Sequence, residues 1–143
     1  MRALLLGLLI AAAGAGQAKP DFSGTWKLLS RDGVAAKDSL VRTLAQKGEQ
    51  LHYVLDREGV RQIDVDLTIG GPPHVSDQYG VIDAKWQGAV LVVDHLYNPG
   101  TPRELEQLEH WRLAEDGKRV LDDTVVRGAG RKEARMQRVF ERQ

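Results

Sequence analysis

The 143-residue sequence contains no cysteine. This absence excludes disulfide bonds, thiolate catalysis and zinc sites built from cysteine, so the fold must be held by its core alone. No sign of charge dominates either, because 20 Lys and Arg residues balance 20 Asp and Glu residues. A neutral chain has no general attraction to nucleic acid or to anionic membranes, and we expect no nucleic-acid partner.

The sequence also lacks the short motifs of common catalytic sites: GxSxG, the P-loop, GxGxxG and HExxH are all missing. No two of the four histidines are spaced i, i+2 or i, i+4, so we expect no metal site. Strand alternation sends Asp64 and Asp66 outward, and nothing suggests the paired carboxylates of acid–base catalysis. The sequence therefore predicts no enzymatic activity and no cofactor.

The N-terminal segment has the three-part form of a secretory signal peptide. Arg2 precedes an unbroken apolar run over residues 3–13, and residues 14–18 follow, all of them small except Gln17. The run is about half the roughly 20 residues that a membrane-spanning helix needs. We expect residues 1–18 to be removed, with cleavage after Ala15 as the alternative, and residues 19–143 to form the mature domain without a transmembrane segment. A cysteine-free exported domain suits a bacterial periplasm, although full secretion fits equally well.

Short apolar segments separated by turn residues predict an all-β domain. The clearest strand covers residues 60–69, where apolar residues alternate with polar ones. Further strands are predicted over residues 22–28, 40–46, 51–57, 81–87, 89–97, 103–114, 119–127 and 133–142. Residues 31–39 form a loop with room for one helical turn, and residues 70–79 form the longest polar connection of the second half. About eight to ten strands joined by short turns predict one up-and-down antiparallel barrel, whose closure removes exposed edges.

Residues 102–112 carry a competing helical signal. Thr101 and Glu104 are spaced as in a helix capping box, with Pro102 at the first helical position. Because both neighbouring segments are strands and the turns match hairpins, we expect a strand here.

The segment 22–28, FSGTWKL, resembles the opening strand of lipocalins and fatty-acid-binding proteins, in which Gly-x-Trp begins the barrel. The resemblance implies that Trp26 plugs the closed end, where Gly24 lets another chain approach. The segment 138–142, RVFER, is similar to the last strand of fatty-acid-binding proteins, in which an inward Arg-x-Tyr pair meets the ligand carboxylate. Here Phe140 replaces the Tyr and removes its hydroxyl, and residues 30–39 leave no room for that family's two-helix lid. The mature chain as a whole looks closer to small exported bacterial lipocalin-like (calycin-type) proteins, which share a Trp like Trp86 in a middle strand.

Two roles are open for Arg138. Its guanidinium is suited to binding an anionic head group, and in lipocalins an Arg of the last strand stacks on the conserved Trp instead. Arg138 or Arg142 is placed to make that closing contact with Trp26. We expect Trp26 and Phe140 at the floor of the barrel and Trp86 or Tyr97 nearer an opening. The full set of candidate lumen residues is Arg138, Phe140, Trp86, His95, Tyr97 and Tyr53.

Three functions follow, in order. The first is an exported, monomeric carrier that holds a small apolar or lipid-like ligand in its lumen. The second is a structural or interaction module of the cell envelope whose barrel is filled by its own side chains. The third is an enzyme of unknown reaction.

Overall fold

A computed structural model describes residues 18–143, so residues 1–17 of the predicted signal peptide lie outside the described residues. All regular structure in residues 18–143 is β-strand, with no helix of any length and hence none that could cross a membrane. The strands are β1 (Gly24–Arg31), β2 (Val34–Ala35), β3 (Leu40–Lys47), β4 (Gln50–Arg57), β5 (Val60–Thr68), β6 (His74–Ser76), β7 (Gly80–Gln87), β8 (Val90–Tyr97), β9 (Leu105–Leu113), β10 (Arg119–Gly128) and β11 (Arg131–Arg142).

Every strand pair is antiparallel, and the order is β5-β4-β3-β1-β11-β10-β9-β8-β7-β6, with β2 paired to β1. The first and last long strands therefore lie side by side. The sheet curls toward closure where the Gly70 amide, just after β5, donates a 2.7 Å hydrogen bond to the Ala84 carbonyl of β7, the strand next to β6. The sheet thus forms a nearly closed meander barrel, and the predicted fold class is confirmed.

Alternation along the strands places one row of side chains in the lumen and the other in solvent. In β5, Ile63, Val65 and Leu67 are 3–4% exposed, whereas Asp64 and Asp66 are exposed on the outside. The two acids flank His52 of β4, whose ring nitrogens lie 3.1 Å and 2.6 Å from their carboxylates. The outward direction expected for these acids is confirmed.

Nine long strands correspond to the nine predicted from the sequence, and two short ones were not predicted. Residues 31–39 hold the two-residue strand β2 instead of a helical turn, because Asp32 and Gly33 both have positive φ and make a tight hairpin. The connection 70–79 contains β6, which covers part of the β7 edge.

The strand expected over residues 102–112 is confirmed as β9. Thr101 and Glu104, which are spaced as in a helix capping box, stabilise a turn before this strand instead. The Thr101 hydroxyl accepts a 3.2 Å hydrogen bond from the Arg103 amide, and the Glu104 carboxylate accepts one of 3.0 Å from Gly100. Side chains that cap a helix therefore cap the turn between β8 and β9 here.

Candidate ligand-binding site

Aromatic side chains close one end of the barrel. Trp26 is fully buried, and its indole N–H donates a 2.8 Å hydrogen bond to the Phe22 carbonyl. The Arg142 guanidinium carbon lies 4.2 Å from the centre of the Trp26 ring, and Arg142 also donates to the Ser23 and Gly117 carbonyls at 2.9 Å and 3.0 Å. A side chain on Gly24 would meet Arg142 at 2.5 Å, so the missing Cβ makes room for this guanidinium. Arg142 makes the contact with Trp26 that the sequence left open between Arg138 and Arg142.

Trp86 also lies at this closed end. Its ring stacks on Phe22 with 6.2 Å between centroids, and the Lys19 ammonium lies 5.7 Å from it. The expectation that either Trp86 or Tyr97 lies near an opening therefore holds for Tyr97 alone. The physical reason is packing on Phe22, whose ring centroid lies 6.2 Å from that of Trp86 and 6.1 Å from that of Trp111.

Four charged side chains fill the middle of the lumen, and we call them the charge quartet: Arg42 of β3, Glu109 of β9, Asp122 of β10 and Arg138 of β11. Their exposed fractions are only 0–5%. Arg42 Nη2 lies 3.2 Å from Glu109 Oε1 and 3.1 Å from Asp122 Oδ2. Arg138 Nη2 donates to the same two oxygens, at 2.8 Å for Asp122. Two cations and two anions make the quartet neutral.

Neighbouring side chains complete the quartet. Thr124 donates to Asp122 Oδ1 at 2.9 Å, and Gln107 donates to Glu109 Oε1 at 3.2 Å. The Arg42 guanidinium carbon lies 4.0 Å from the centre of the Trp111 ring and 4.2 Å from that of Phe140. Such a sandwich stabilises a buried cation by cation–π attraction and excludes water.

Burial and mutual charge shift the titration of these groups. Burial, and next the negative charge of Asp122, raise the pKa of Glu109, while the two arginines oppose the shift. Burial would lower the pKa of Arg138, but Asp122 and Glu109 raise it above its usual range. Burial likewise raises the pKa of Tyr53, whose ring lies at 5.5 Å and edge-on to Trp111. Arg138 is therefore a permanent cation already supplied with counter-ions.

A cavity of about 140 Å³ lies at the opposite end of the barrel, which we call the mouth. It is lined by Leu55, Arg57, Gln62, Ile63, Gln78, Tyr79, His95 and Tyr97. The His95 and Tyr97 rings stack at 3.6 Å, and His95 Nε2 lies 2.6 Å from the Tyr79 carbonyl. Since a carbonyl only accepts, Nε2 carries the hydrogen, and burial lowers the pKa of His95 and favours this neutral form. Burial raises the pKa of Tyr97 to about 12, so its phenol keeps its proton as well.

The structure divides the six predicted lumen residues into three groups. His95 and Tyr97 line the mouth, and Trp86 belongs to the closed end. Arg138 is a member of the quartet, and the rings of Tyr53 and Phe140 lie 5.8 Å and 4.2 Å from the Arg42 guanidinium carbon. The sequence analysis assigned no role in the lumen to Arg42, Glu109 or Asp122, whose side chains are buried there as ion pairs. Strand alternation could have identified two of these residues as inward-facing. Arg42 lies on the same strand face as Leu40 and Leu44, and Asp122 lies on the same face as Val120 and Thr124.

Comparison with known proteins supports the fold. No protein-family model matches the chain, and no curated protein matches its sequence. Among solved structures, it is similar to apo lipid binding protein 8 (LBP-8) of Caenorhabditis elegans, with a TM-score of 0.60 and 11% identity over 85% of this chain and 95% of that one. It is also similar to the secretary abundant heat soluble (SAHS) protein of Ramazzottius varieornatus, with a TM-score of 0.65 and 10% identity over 89% of this chain and 98% of that one. These similarities confirm the expected fold, an up-and-down antiparallel β-barrel.

Proposed function

We propose that this protein is an exported binding protein that takes a small ligand, or the end of a longer apolar chain, into the mouth of its barrel. The observation that carries the proposal is the cavity between Leu55, Ile63, His95 and Tyr97. Its walls combine aliphatic and aromatic faces with a few polar groups, which is the usual composition of a small-molecule site. The N-terminal pattern of residues 1–18 supports export.

The size of the cavity limits the ligand. At about 140 Å³ it is smaller than the roughly 300–1,000 Å³ of sites for drug-sized molecules. The quartet and the Arg42 sandwich fill the middle of the lumen. A long acyl chain cannot be held whole, so the ligand is short or leaves part of itself outside. The similarity to a protein named for lipid binding is compatible with an apolar ligand of this kind.

A titration with hexan-1-ol, followed by amide NMR, tests the proposal. We expect saturable shifts at the amides of Leu55, Ile63, His95 and Tyr97, and small shifts at the closed end around Trp26. Ile63→Trp fills the cavity and removes the response. Ala45→Trp, on the exposed face of β3, is the matched control and keeps it. Shifts spread evenly over the surface, or unchanged by Ile63→Trp, contradict the proposal.

A second function is favoured by the packing of the middle layer. Arg42 lies between Trp111 and Phe140 and is 1% exposed, so the protein supplies the contents of its own lumen at this level. A self-filled barrel suits a structural or interaction module of the cell envelope. Native mass spectrometry of the protein purified from its own source distinguishes the two functions. A reproducible small adduct that Ile63→Trp abolishes supports the binding protein, and its absence supports the module.

A further inference from the structure

The two carboxylates of the charge quartet stand where an anionic ligand would neutralise the arginines. Glu109 Oε1 and Asp122 Oδ2 are each shared by Arg42 and Arg138, which is how a bound anion bridges two guanidinium groups. All four residues are at most 5% exposed, so solvent screens their charges little. The two arginines therefore have no net charge left to offer a ligand.

The order of the layers places Glu109 between the mouth and Arg138. Residue pairing across β8, β9, β10 and β11 puts Tyr97 beside Leu105 at the mouth and His95 beside Gln107 in the next layer. Glu109 follows, level with Val93 and Thr124, and Asp122 and Arg138 pair one layer deeper. A ligand that enters past Tyr97 and His95 thus approaches the Glu109 carboxylate before it reaches the Arg138 guanidinium.

We infer that Glu109 and Asp122 are built-in counter-anions, which make the lumen select uncharged ligands and reject carboxylates. The inference rests on the proposed function, since it assigns the ligand class of the mouth cavity. A ligand carboxylate would bring a third negative charge next to two positive ones. Arg57, the cation of the mouth lining, already pairs with Asp38 at 3.1 Å. The excess charge at the quartet would therefore be buried without a partner, and that carries a large free-energy penalty. An alcohol, amide or ester meets no such penalty.

The test compares hexan-1-ol with hexanoate, which match in chain length and differ in charge. Wild-type protein is titrated with each by amide NMR, together with Glu109→Gln and Asp122→Asn, either of which leaves the quartet with one excess positive charge. We expect wild type to bind hexan-1-ol at least about tenfold more tightly than hexanoate, a difference of about 1.4 kcal/mol. Each folded variant is expected to bind hexanoate at least about tenfold more tightly than wild type does, while its affinity for hexan-1-ol changes little.

The matched control is Glu106→Gln, which removes a carboxylate from the same strand on the outer face, where Glu106 pairs with Arg127 at 2.9 Å. It leaves both affinities at the wild-type values. The peak dispersion of each variant's spectrum shows whether it is folded. If neither quartet variant folds, the preference of wild type between the two probes decides the inference.

The outcomes separate the inference from the proposed function. Equal or tighter binding of hexanoate by wild type overturns the selection for uncharged ligands and leaves the cavity a binding site. A folded Glu109→Gln variant with no gain toward hexanoate overturns the counter-anion role. If wild type binds neither probe but a quartet variant binds hexanoate in the lumen, the counter-anion role is supported and the proposed function is overturned. No binding by any folded form overturns both.

Discussion

The guanidinium of Arg142 lies over the indole of Trp26, with 4.2 Å between its central carbon and the ring centre. The same guanidinium donates to the Ser23 carbonyl of the first segment and to the Gly117 carbonyl of the turn before β10. One side chain thus joins the start and end of the barrel wall to a turn at the closed end. This contact is local and directional, so it can be tested by substitution.

Arg142→Ala is expected to lower the free energy of unfolding by roughly 1–3 kcal/mol, because it removes a cation–π contact and two charge-assisted hydrogen bonds. Urea denaturation monitored by Trp fluorescence measures the change. Arg135→Ala on the same strand is the control, since the Arg135 side chain is 74% exposed and is expected to change stability by less than about 0.5 kcal/mol. Equal effects of the two substitutions would refute a closing role for Arg142.

Within the charge quartet, removal of one arginine leaves two buried carboxylates beside a single cation. Arg138→Met is therefore expected to cost about 3–5 kcal/mol, whereas the further change Asp122→Asn restores part of the loss because it removes the unmatched charge. A double-mutant cycle by urea denaturation should give a coupling energy of about 1–3 kcal/mol. Additive effects of Arg138→Met and Asp122→Asn would show that the two side chains act independently.

Strand alternation accounts for how much of the fold could be predicted. From Ile63 onward the apolar residues of β5 alternate with polar ones, and the turns on either side contain glycine, so both the strand and its buried face were correctly predicted. Residues 102–112 were harder, since Thr101 and Glu104 carry capping chemistry that suits a helix or a tight turn. Pairing with β8 and β10 stabilises the extended conformation of this segment, and that pairing is not visible in the local sequence.

The charge quartet could not be predicted by the same reasoning. A charged residue within an alternating segment is normally assigned to solvent, and burial of Arg42 is favourable only because three other strands bring Glu109, Asp122 and Arg138 together with it in the lumen. That coincidence depends on strand register, which the sequence leaves undetermined. Arg138 and Phe140 were correctly placed on an inward face, but the partners that occupy Arg138 were not foreseen.

Gly80, at the start of β7, allows an unusually close approach of the β8 backbone. Its φ is +76°, and an added Cβ would lie 2.2 Å from the Leu96 carbonyl oxygen. Gly59 has nearly the same φ, +75°, and nothing lies within 4 Å of its Cβ position, so it is a matched control. Both changes to Ala carry about 1 kcal/mol of backbone strain, and Gly80→Ala should cost roughly 2 kcal/mol more because two backbone segments must separate. Thermal unfolding measures both, and equal losses of stability would contradict the close approach.

Asp94 lies on the outer face of β8, opposite Asp83 of β7. Burial, followed by the charges of Glu106 and Asp83, raises the pKa of Asp94 from 3.8 to about 6. Among residues 18–143 no side chain or backbone group hydrogen-bonds Asp94 Oδ1. Its ionised form is therefore disfavoured in the folded protein.

The effect of Asp94 on stability depends on pH in a defined direction. Between pH 3.8 and about 6 the folded state holds the proton more tightly than the unfolded state, so the destabilising contribution of Asp94 grows as the pH rises through this range and is complete above it. Asp94→Asn should therefore stabilise the protein by about 1 kcal/mol at neutral pH, once solvent screening of this partly exposed group is allowed for. The gain should vanish below pH 3.8, where Asp94 is protonated in both the folded and the unfolded wild type. Urea denaturation of both proteins at neutral and acidic pH measures the difference, with Asp77→Asn as an exposed control. A gain that is independent of pH would mean that the side-chain amide stabilises the sheet for a reason other than the removed charge.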